Sequence, residues 1–153
     1  MRNLRESDHH AIVSVVDGWW ERPVSEKFPR LFFRHFEDTS FVVEENGEIV
    51  AFLLGFVSQS RKDEAYIHFA GVHPEHRGRG AAKSLYERFF DETRERGCER
   101  VRCITSPANR ASIAFHEHLG FDIEPGNGES EAVPVHSNYD GDGKSKVVFM
   151  KRL

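Results

Sequence analysis

Residues 72–82 read Val-His-Pro-Glu-His-Arg-Gly-Arg-Gly-Ala-Ala. An apolar, strand-like run stops at Pro74, Gly78 and Gly80 follow, and an amphipathic helical pattern begins. No other part of the chain constrains the fold as much. A strand must hand the backbone to a helix N-terminus through a turn that needs glycine conformations. The first turn of a helix carries unpaired N–H groups and a partial positive charge, so the junction suits phosphate or pyrophosphate. Arg77 and Arg79 add cationic groups. The Gly-Lys-Ser/Thr ending of a P-loop is absent. So is the third glycine of a dinucleotide fingerprint, since Lys83 stands in its place.

The flanking sequence supplies the other elements. Ala11, Ile12, Val15, Val16 and Trp19 recur at helical spacing after Asp8, a candidate N-cap, and Gly18 should weaken or end that helix. A second helix is expected over Ser25–Phe36, with Phe28, Leu31, Phe32 and Phe36 on one side and Pro29 in its first turn. Phe41–Val43 and Ile49–Val57 read as strands joined by an Asn46-Gly47 hairpin turn, with Gly55 marking a bulge or bend. A third strand runs from about Ala65 to Val72. The longest helix spans Gly78–Arg96, with Ala81, Ala82, Leu85, Phe89 and Thr93 towards the sheet and Gly97 as its stop. A buried strand, Val101–Thr105, precedes a helix from Asn109 to Leu119. Phe121–Ile123 is extended, Glu124–Lys144 reads as a long polar loop, and Lys146–Lys151 closes the sheet. A hairpin combined with βαβ crossings gives an α/β (α+β) fold with a mixed sheet and helices on both faces.

Composition narrows the function. The 153 residues suit one domain, residues 1–153, and the net charge of −4 argues against a general nucleic-acid binder. No apolar run approaches the roughly 20 residues of a membrane span, and the polar Met1–His10 segment is not a secretory signal. Cys98 and Cys103 are too few for a disulfide scaffold, so a reducing cytoplasm is expected. No metal is expected, because the His73/His76 and His116/His118 pairs lack His-Glu-x-x-His spacing. Asn138-x-Asp140-x-Asp142-Gly143 begins like a calcium loop but ends on Phe149 rather than Glu, and reads as a polar turn.

Two motifs together resemble the GNAT superfamily of acyl-CoA-dependent N-acetyltransferases. Arg77-Gly-Arg-Gly80-Ala-Ala82 matches that family's Arg/Gln-x-x-Gly-x-Gly/Ala signature. Asn109-x-x-Ser112-x-x-Phe115-His116-x-x-Leu119-Gly120-Phe121 matches its second element, and the order of elements agrees along nearly the whole chain. The resemblance implies a single, mostly antiparallel, twisted sheet splayed after the fourth family strand, near Val72. Acetyl-CoA would enter there as co-substrate. The backbone near Val72 would pair with the pantetheine arm, and Arg77, Gly78, Arg79, Gly80, Ala81 and Ala82 would hold the pyrophosphate. Asn109 and Ser112 would flank the lower pantetheine. The partner would be a small-molecule or peptide amine, and the resemblance leaves a homodimer open.

His116 is a departure, since family members often carry Tyr there as proton donor to the departing thiolate. A histidine can donate a proton too, or act as a hydrogen-bonding spacer. Helical spacing puts Asn109, Ser112 and His116 on one face, with Ala111, Phe115 and Leu119 as a separate stripe packed on the sheet. Along the third strand Glu64, Tyr66 and His68 alternate onto one face, and Ile67 and Phe69 onto the other. His68, or water leading to Glu64, is then a candidate base, and Tyr66 a wall of the acceptor pocket. Trp20 is a second wall, and Asp17 and Glu21 are candidates to attract a cationic amine. Competing readings are a non-catalytic acyl-CoA-binding domain and a nucleotide-phosphate binder using the same loop.

Overall fold

The computed structural model describes all of residues 1–153, and in it the period-two and period-3.6 patterns resolve into strands and helices. In chain order these are β1 (Arg2–Asn3), α1 (His9–Trp20), α2 (Arg30–His35), β2 (Phe41–Glu45), β3 (Glu48–Val57), β4 (Glu64–Val72), α3 (Ala81–Glu95), β5 (Arg100–Thr105), α4 (Arg110–His118), β6 (Asp122–Ile123), β7 (Gly128–Ser130), β8 (Val133–Val135) and β9 (Val147–Arg152). The main sheet has the order β1-β2-β3-β4-β5-β9-β6, and only β4 and β5 are parallel. That parallel pair requires the α3 crossover. One buried cluster lies between the sheet and α3 and α4, around Leu85, Phe89, Ile113 and Phe149. A second lies under α1 and α2, around Ile12, Val16, Phe28 and Phe33. The mixed, mostly antiparallel sheet with helices on both faces is therefore the observed architecture. No helix is long and apolar enough to cross a membrane.

The sheet opens earlier than expected. β4 pairs with β5 only through Glu64–Arg100, Ala65–Val101 and Tyr66–Arg102. Beyond Tyr66, β4 continues to Val72 on β3 alone, while β5 continues on β9 alone. The splay thus begins after Tyr66 rather than after Val72.

Local chemistry explains the other departures. Gly18 does not end α1, which runs to Trp20 and stops at Glu21 in a left-handed conformation (φ 52°). Asp8 does not cap α1, because its carboxylate accepts from Arg2 and from the Arg5 N–H. The single helix expected over Ser25–Phe36 is a 3-10 turn at Ser25–Lys27 and the separate α2. Phe28 precedes Pro29 and is held out of helical angles (ψ 68°). The break resets the helical phase, so Phe33 is buried and Leu31 is 63% exposed. Within the expected 124–144 loop, β7 and β8 form a hairpin whose two turn residues, Glu131 and Ala132, both have positive φ. That turn normally selects Asn-Gly, so its sequence gave no hairpin signal.

The bend expected at Gly55 is a β-bulge in the opposite strand. Leu54 pairs with Phe69 but Gly55 pairs with Ile67, leaving His68 as the extra residue on β4. The bulge shifts the alternation, so Ile67 packs in the α3/α4 cluster while Phe69 packs with the α1/α2 cluster. The expectation that both point the same way is thereby corrected. Gly55 lies beyond the β2–β3 ladder, and hydroxyls stand in for its missing strand partner. The Ser40 hydroxyl accepts from the Gly55 N–H (3.1 Å), and the Thr39 and Ser40 hydroxyls donate to its carbonyl (2.7 and 3.2 Å). A Cβ at Gly55 would lie 2.5 Å from Phe89 Cε2 and 2.9 Å from the Tyr66 carbonyl oxygen.

Gly55→Ala is expected to destabilise by about 1–3 kcal/mol through overpacking. Thermal unfolding reads this at about 2–4 °C per kcal/mol for a chain of this size. Gly18→Ala, where a Cβ meets nothing within 4 Å inside α1, should instead be neutral or stabilising by up to about 1 kcal/mol.

Candidate active site

Where β4 and β5 part, two cavities open side by side. The first, about 550 Å³, runs from the Val72 end of β4 past α3 to α4. The second, about 340 Å³, lies over Tyr66 and His68 and under the turn after α1. Trp20, Ala70, Tyr86, Asn109, Ser112 and His116 line both. Two molecules placed one in each cavity therefore meet at a shared wall.

The β4 edge is oriented by its register. The His73 N–H donates to the Val50 carbonyl (2.8 Å), which makes Ala51–Val72 and Leu53–Ala70 non-hydrogen-bonded pairs of the β3–β4 ladder. The peptide groups of Ala70 and Val72 then point away from β3, into the first cavity. The Val72 carbonyl accepts from Arg77 Nε (3.2 Å), which leaves the Val72 N–H as the group directed at a ligand.

The glycine turn builds an anion cradle. Gly78 and Gly80 have φ of 74° and 85°, and a Cβ on either would meet no protein atom within 4 Å. Space beside these positions is open, yet the backbone angles select glycine. None of the N–H groups of Gly78, Arg79, Gly80, Ala81, Ala82 and Lys83 donates within the chain; the first to do so is that of Ser84, to Gly80 (3.0 Å). These groups converge at the N-terminus of the long helix α3, an arrangement that fits a pyrophosphate. The Arg79 side chain is exposed and makes no ion pair. Arg77, expected at the pyrophosphate, lines the first cavity with its guanidinium anchored: its Nη2 donates to the Trp19 carbonyl (2.6 Å). With its Nε on the Val72 carbonyl, it ties the end of α1 to the end of β4 across the first cavity.

On α4 the expected polar face is present. The Asn109 side chain accepts from the Ser112 N–H (3.1 Å), so it caps the helix while lining both cavities. The expected Ala111–Phe115–Leu119 stripe is displaced: Ile113 and His116 are the buried residues, Phe115 and Leu119 flank them, and Ala111 is exposed. His116 stacks on Phe149 (4.5 Å between centroids, 12°). Its Nδ1 lies 2.7 Å from the Ser112 carbonyl, which can only accept, so Nδ1 carries the proton. Nε2 is then the acceptor for the Tyr86 hydroxyl at 3.0 Å. Burial holds the His116 pKa below its ordinary value and pushes that of Tyr86 well above. The pair is a neutral imidazole receiving a phenol proton. Tyr86 escaped the sequence reading because the buried face of α3 was drawn too narrowly; Tyr86 and Phe90 are buried as well as Leu85, Phe89 and Thr93.

The second cavity collects Trp20, Tyr66 and His68, as expected. The Trp20 ring covers Gly71, where a Cβ would run into it, and packs edge-on to Phe69 (5.0 Å). Burial raises the Tyr66 pKa, so its hydroxyl stays protonated. His68 Nε2 is 2.8 Å from the Lys27 carbonyl and donates to it, which leaves Nδ1 with a lone pair. Glu64 lines neither cavity: it is buried and paired with Arg102, which also binds Glu124 (2.7 Å). Asp17 is also spoken for, accepting from the N–H groups of Val24 and Ser25 at 2.7 Å each. Glu21 lines the first cavity, not the second. Cys98 and Cys103 are buried with thiol pKa values pushed up, as core residues rather than nucleophiles. No three His, Cys, Asp or Glu side chains gather as a metal-binding group.

The His116 environment makes a pH prediction. Its lowered folded-state pKa favours the neutral ring, so its contribution to stability is complete above about pH 6.5. That contribution is lost as pH falls through the unfolded and then the folded value. A nitrogen-detected NMR titration should show His116 titrating below about 6.5 with Nδ1 protonated; titration at or above that value would contradict the buried neutral state.

Known proteins share this sequence pattern and fold. A family model described as the acetyltransferase (GNAT) family matches residues 9–121. An acetyltransferase of Pectobacterium atrosepticum is 30% identical over 127 residues, 80% of this chain and 86% of that protein. The crystal structure of Ard1 from Thermoplasma volcanium superposes with a TM-score of 0.78 at 20% identity, covering 99% of this chain and 95% of that one. A Salmonella typhimurium acetyltransferase, solved with its cofactor acetyl-CoA, superposes with a TM-score of 0.71 at 20% identity, over 99% and 92% of the two chains. With its split sheet, glycine cradle and capped polar helix, this chain belongs to the GNAT acetyltransferase family and is an acyltransferase that uses acetyl-CoA.

Proposed function

We propose that the enzyme transfers an acetyl group from acetyl-CoA to a primary amine by direct attack, with both substrates bound at once. The observation that carries this reading is the shared wall between the two cavities. A donor in the first and an acceptor in the second would meet at Ala70, Tyr86 and His116, and holding reactants together supplies much of the rate. Acetyl-CoA supplies the acyl group already activated as a thioester. The chain's residues do the rest. The N–H groups from Gly78 to Lys83 bind the pyrophosphate, and Arg79 adds charge. The Val72 N–H is placed to polarise an acyl carbonyl. Asn109 and Ser112 flank the thiol end. Trp20 and Tyr66 wall the acceptor, and His68 Nδ1, held by the Nε2 bond to Lys27, takes a proton from the incoming ammonium.

The acid expected at His116 becomes a pair. A neutral ring with Nδ1 committed to Ser112 has no proton to give. A proton leaving the acceptor nitrogen moves to the Tyr86 oxygen as the phenol proton passes to His116 Nε2. The same bond then runs in reverse, and Tyr86 protonates the departing sulfur. Each proton accepted is returned, so the pair ends as it began.

Turnover is tested with acetyl-CoA, an amine library and a thiol-detecting readout; coenzyme binding without amine-dependent thiol release would overturn the reading. Gly80→Val should abolish coenzyme binding by calorimetry, since its side chain enters the cradle. The left-handed backbone adds only about 1–2 kcal/mol of strain to the fold. Tyr86→Phe should lower kcat about 10²–10⁴-fold with the KM for acetyl-CoA nearly unchanged. His116→Phe should do the same and lower stability by about 1–3 kcal/mol, because the Tyr86 hydroxyl is left buried without a partner. Unchanged kcat in Tyr86→Phe removes the pair from the chemistry.

A further inference from the structure

The second cavity has a charge that the reaction does not explain. Arg22, Lys27 and Lys146 all line it, and Asp140 is the one carboxylate among its lining residues. None of the three cations forms a salt bridge with any carboxylate of the protein. This occurs in a chain whose net charge is −4, so the local excess is not a by-product of a basic protein. The three residues come from separate segments: the turn after α1, the 3-10 turn before α2, and the entry to β9. Burial, and then repulsion from Lys146 and Arg22, hold the Lys27 ammonium below its usual pKa range. Asp140 offsets part of this repulsion, and three cations against one carboxylate leave the cavity with a positive excess that favours an anion. The acidic groups first expected to draw a cationic amine are elsewhere, Asp17 in turn hydrogen bonds and Glu21 in the other cavity.

Resting on the proposed reaction, we infer that the acceptor is a small amine that also carries a carboxylate or similar anionic group, bound at Arg22, Lys27 and Lys146. The cavity of about 340 Å³ suits a small molecule. Its amino group would lie towards the shared wall at Ala70 and Tyr86, and its anionic end at the cations. Trp20, Phe32, Phe56 and Tyr66 supply apolar walls for the carbon skeleton between. An acceptor with no anionic group would leave the crowded cations unrelieved.

The experiment uses the full chain with acetyl-CoA and matched amine pairs, such as γ-aminobutyrate against its carboxamide, with a short peptide of equal charge as a third arm. The expected result is a preference in kcat/KM of tenfold or more for the carboxylate member at low ionic strength. That preference should shrink as salt rises, because the attraction is between screened charges. Lys27→Glu and, separately, Lys146→Glu should erase or reverse it while leaving acetyl-CoA affinity unchanged; both side chains reach solvent, and the backbone bonds of both residues remain. Equal use of both members, turnover confined to uncharged or cationic amines, or a preference for the peptide would each overturn the inference. Failure of acetyl-CoA to bind, or binding with no thiol release from any amine of the library, would instead overturn the proposed reaction; calorimetry and the library screen separate the two.

Discussion

The parting of β4 from β5 after Tyr66 is the constraint on which the other features depend. Parallel strands that stay paired bury both edges, and there would be no cleft. Here three residue pairs hold the strands together at one end, and each strand is then captured by a different antiparallel neighbour, β3 for β4 and β9 for β5. The separated edges expose peptide groups at Ala70 and Val72 inside the protein, where polar groups need partners. A ligand with amide groups of its own can satisfy them. The cleft is also narrow enough that α3 and α4, packed on one face of the sheet, project Tyr86 and His116 into it.

The bulge at His68 has a similar standing. Without the extra residue, Phe69 would follow Ile67 into the α3/α4 cluster, and His68 and Tyr66 would keep strict alternation. Tyr66 and His68 lie opposite Ile67 in either case; the bulge adds Phe69 to their side, next to Trp20, and so gives the second cavity a further aromatic wall. It is tolerated because Gly55 lets Phe89 approach and because the Thr39 and Ser40 hydroxyls satisfy the Gly55 peptide groups. A packing detail on the far side of β3 thus decides which residues face an acceptor.

Much of this was legible in the sequence. The Val72–Ala82 segment announced strand, cradle and helix because glycine conformations and helix N-termini are local properties. Asn109 as a cap was legible for the same reason. Two local errors had local causes. Pro29 sits at the N-cap of α2 rather than within a longer helix, and the β7–β8 turn uses Glu131-Ala132 where Asn-Gly is usual. The tertiary partners of Arg77 and Glu64 were hidden for another reason. Their partners, the Trp19 carbonyl and Arg102, lie far along the chain, and spacing carries no sign of them.

The sequence by itself therefore determined most of the elements and the anion cradle, since each follows from residues within a few positions of one another, and it pointed to the family through two such local motifs in the right order. Tertiary structure alone decided where the sheet opens, which proton His116 holds, and which charges surround the acceptor. Those depend on strand register, on a bulge, and on side chains such as Tyr86, Lys27 and Lys146 that meet only when separate elements pack. Long-range pairing is set by the sum of many weak contacts, and no local pattern encodes that sum.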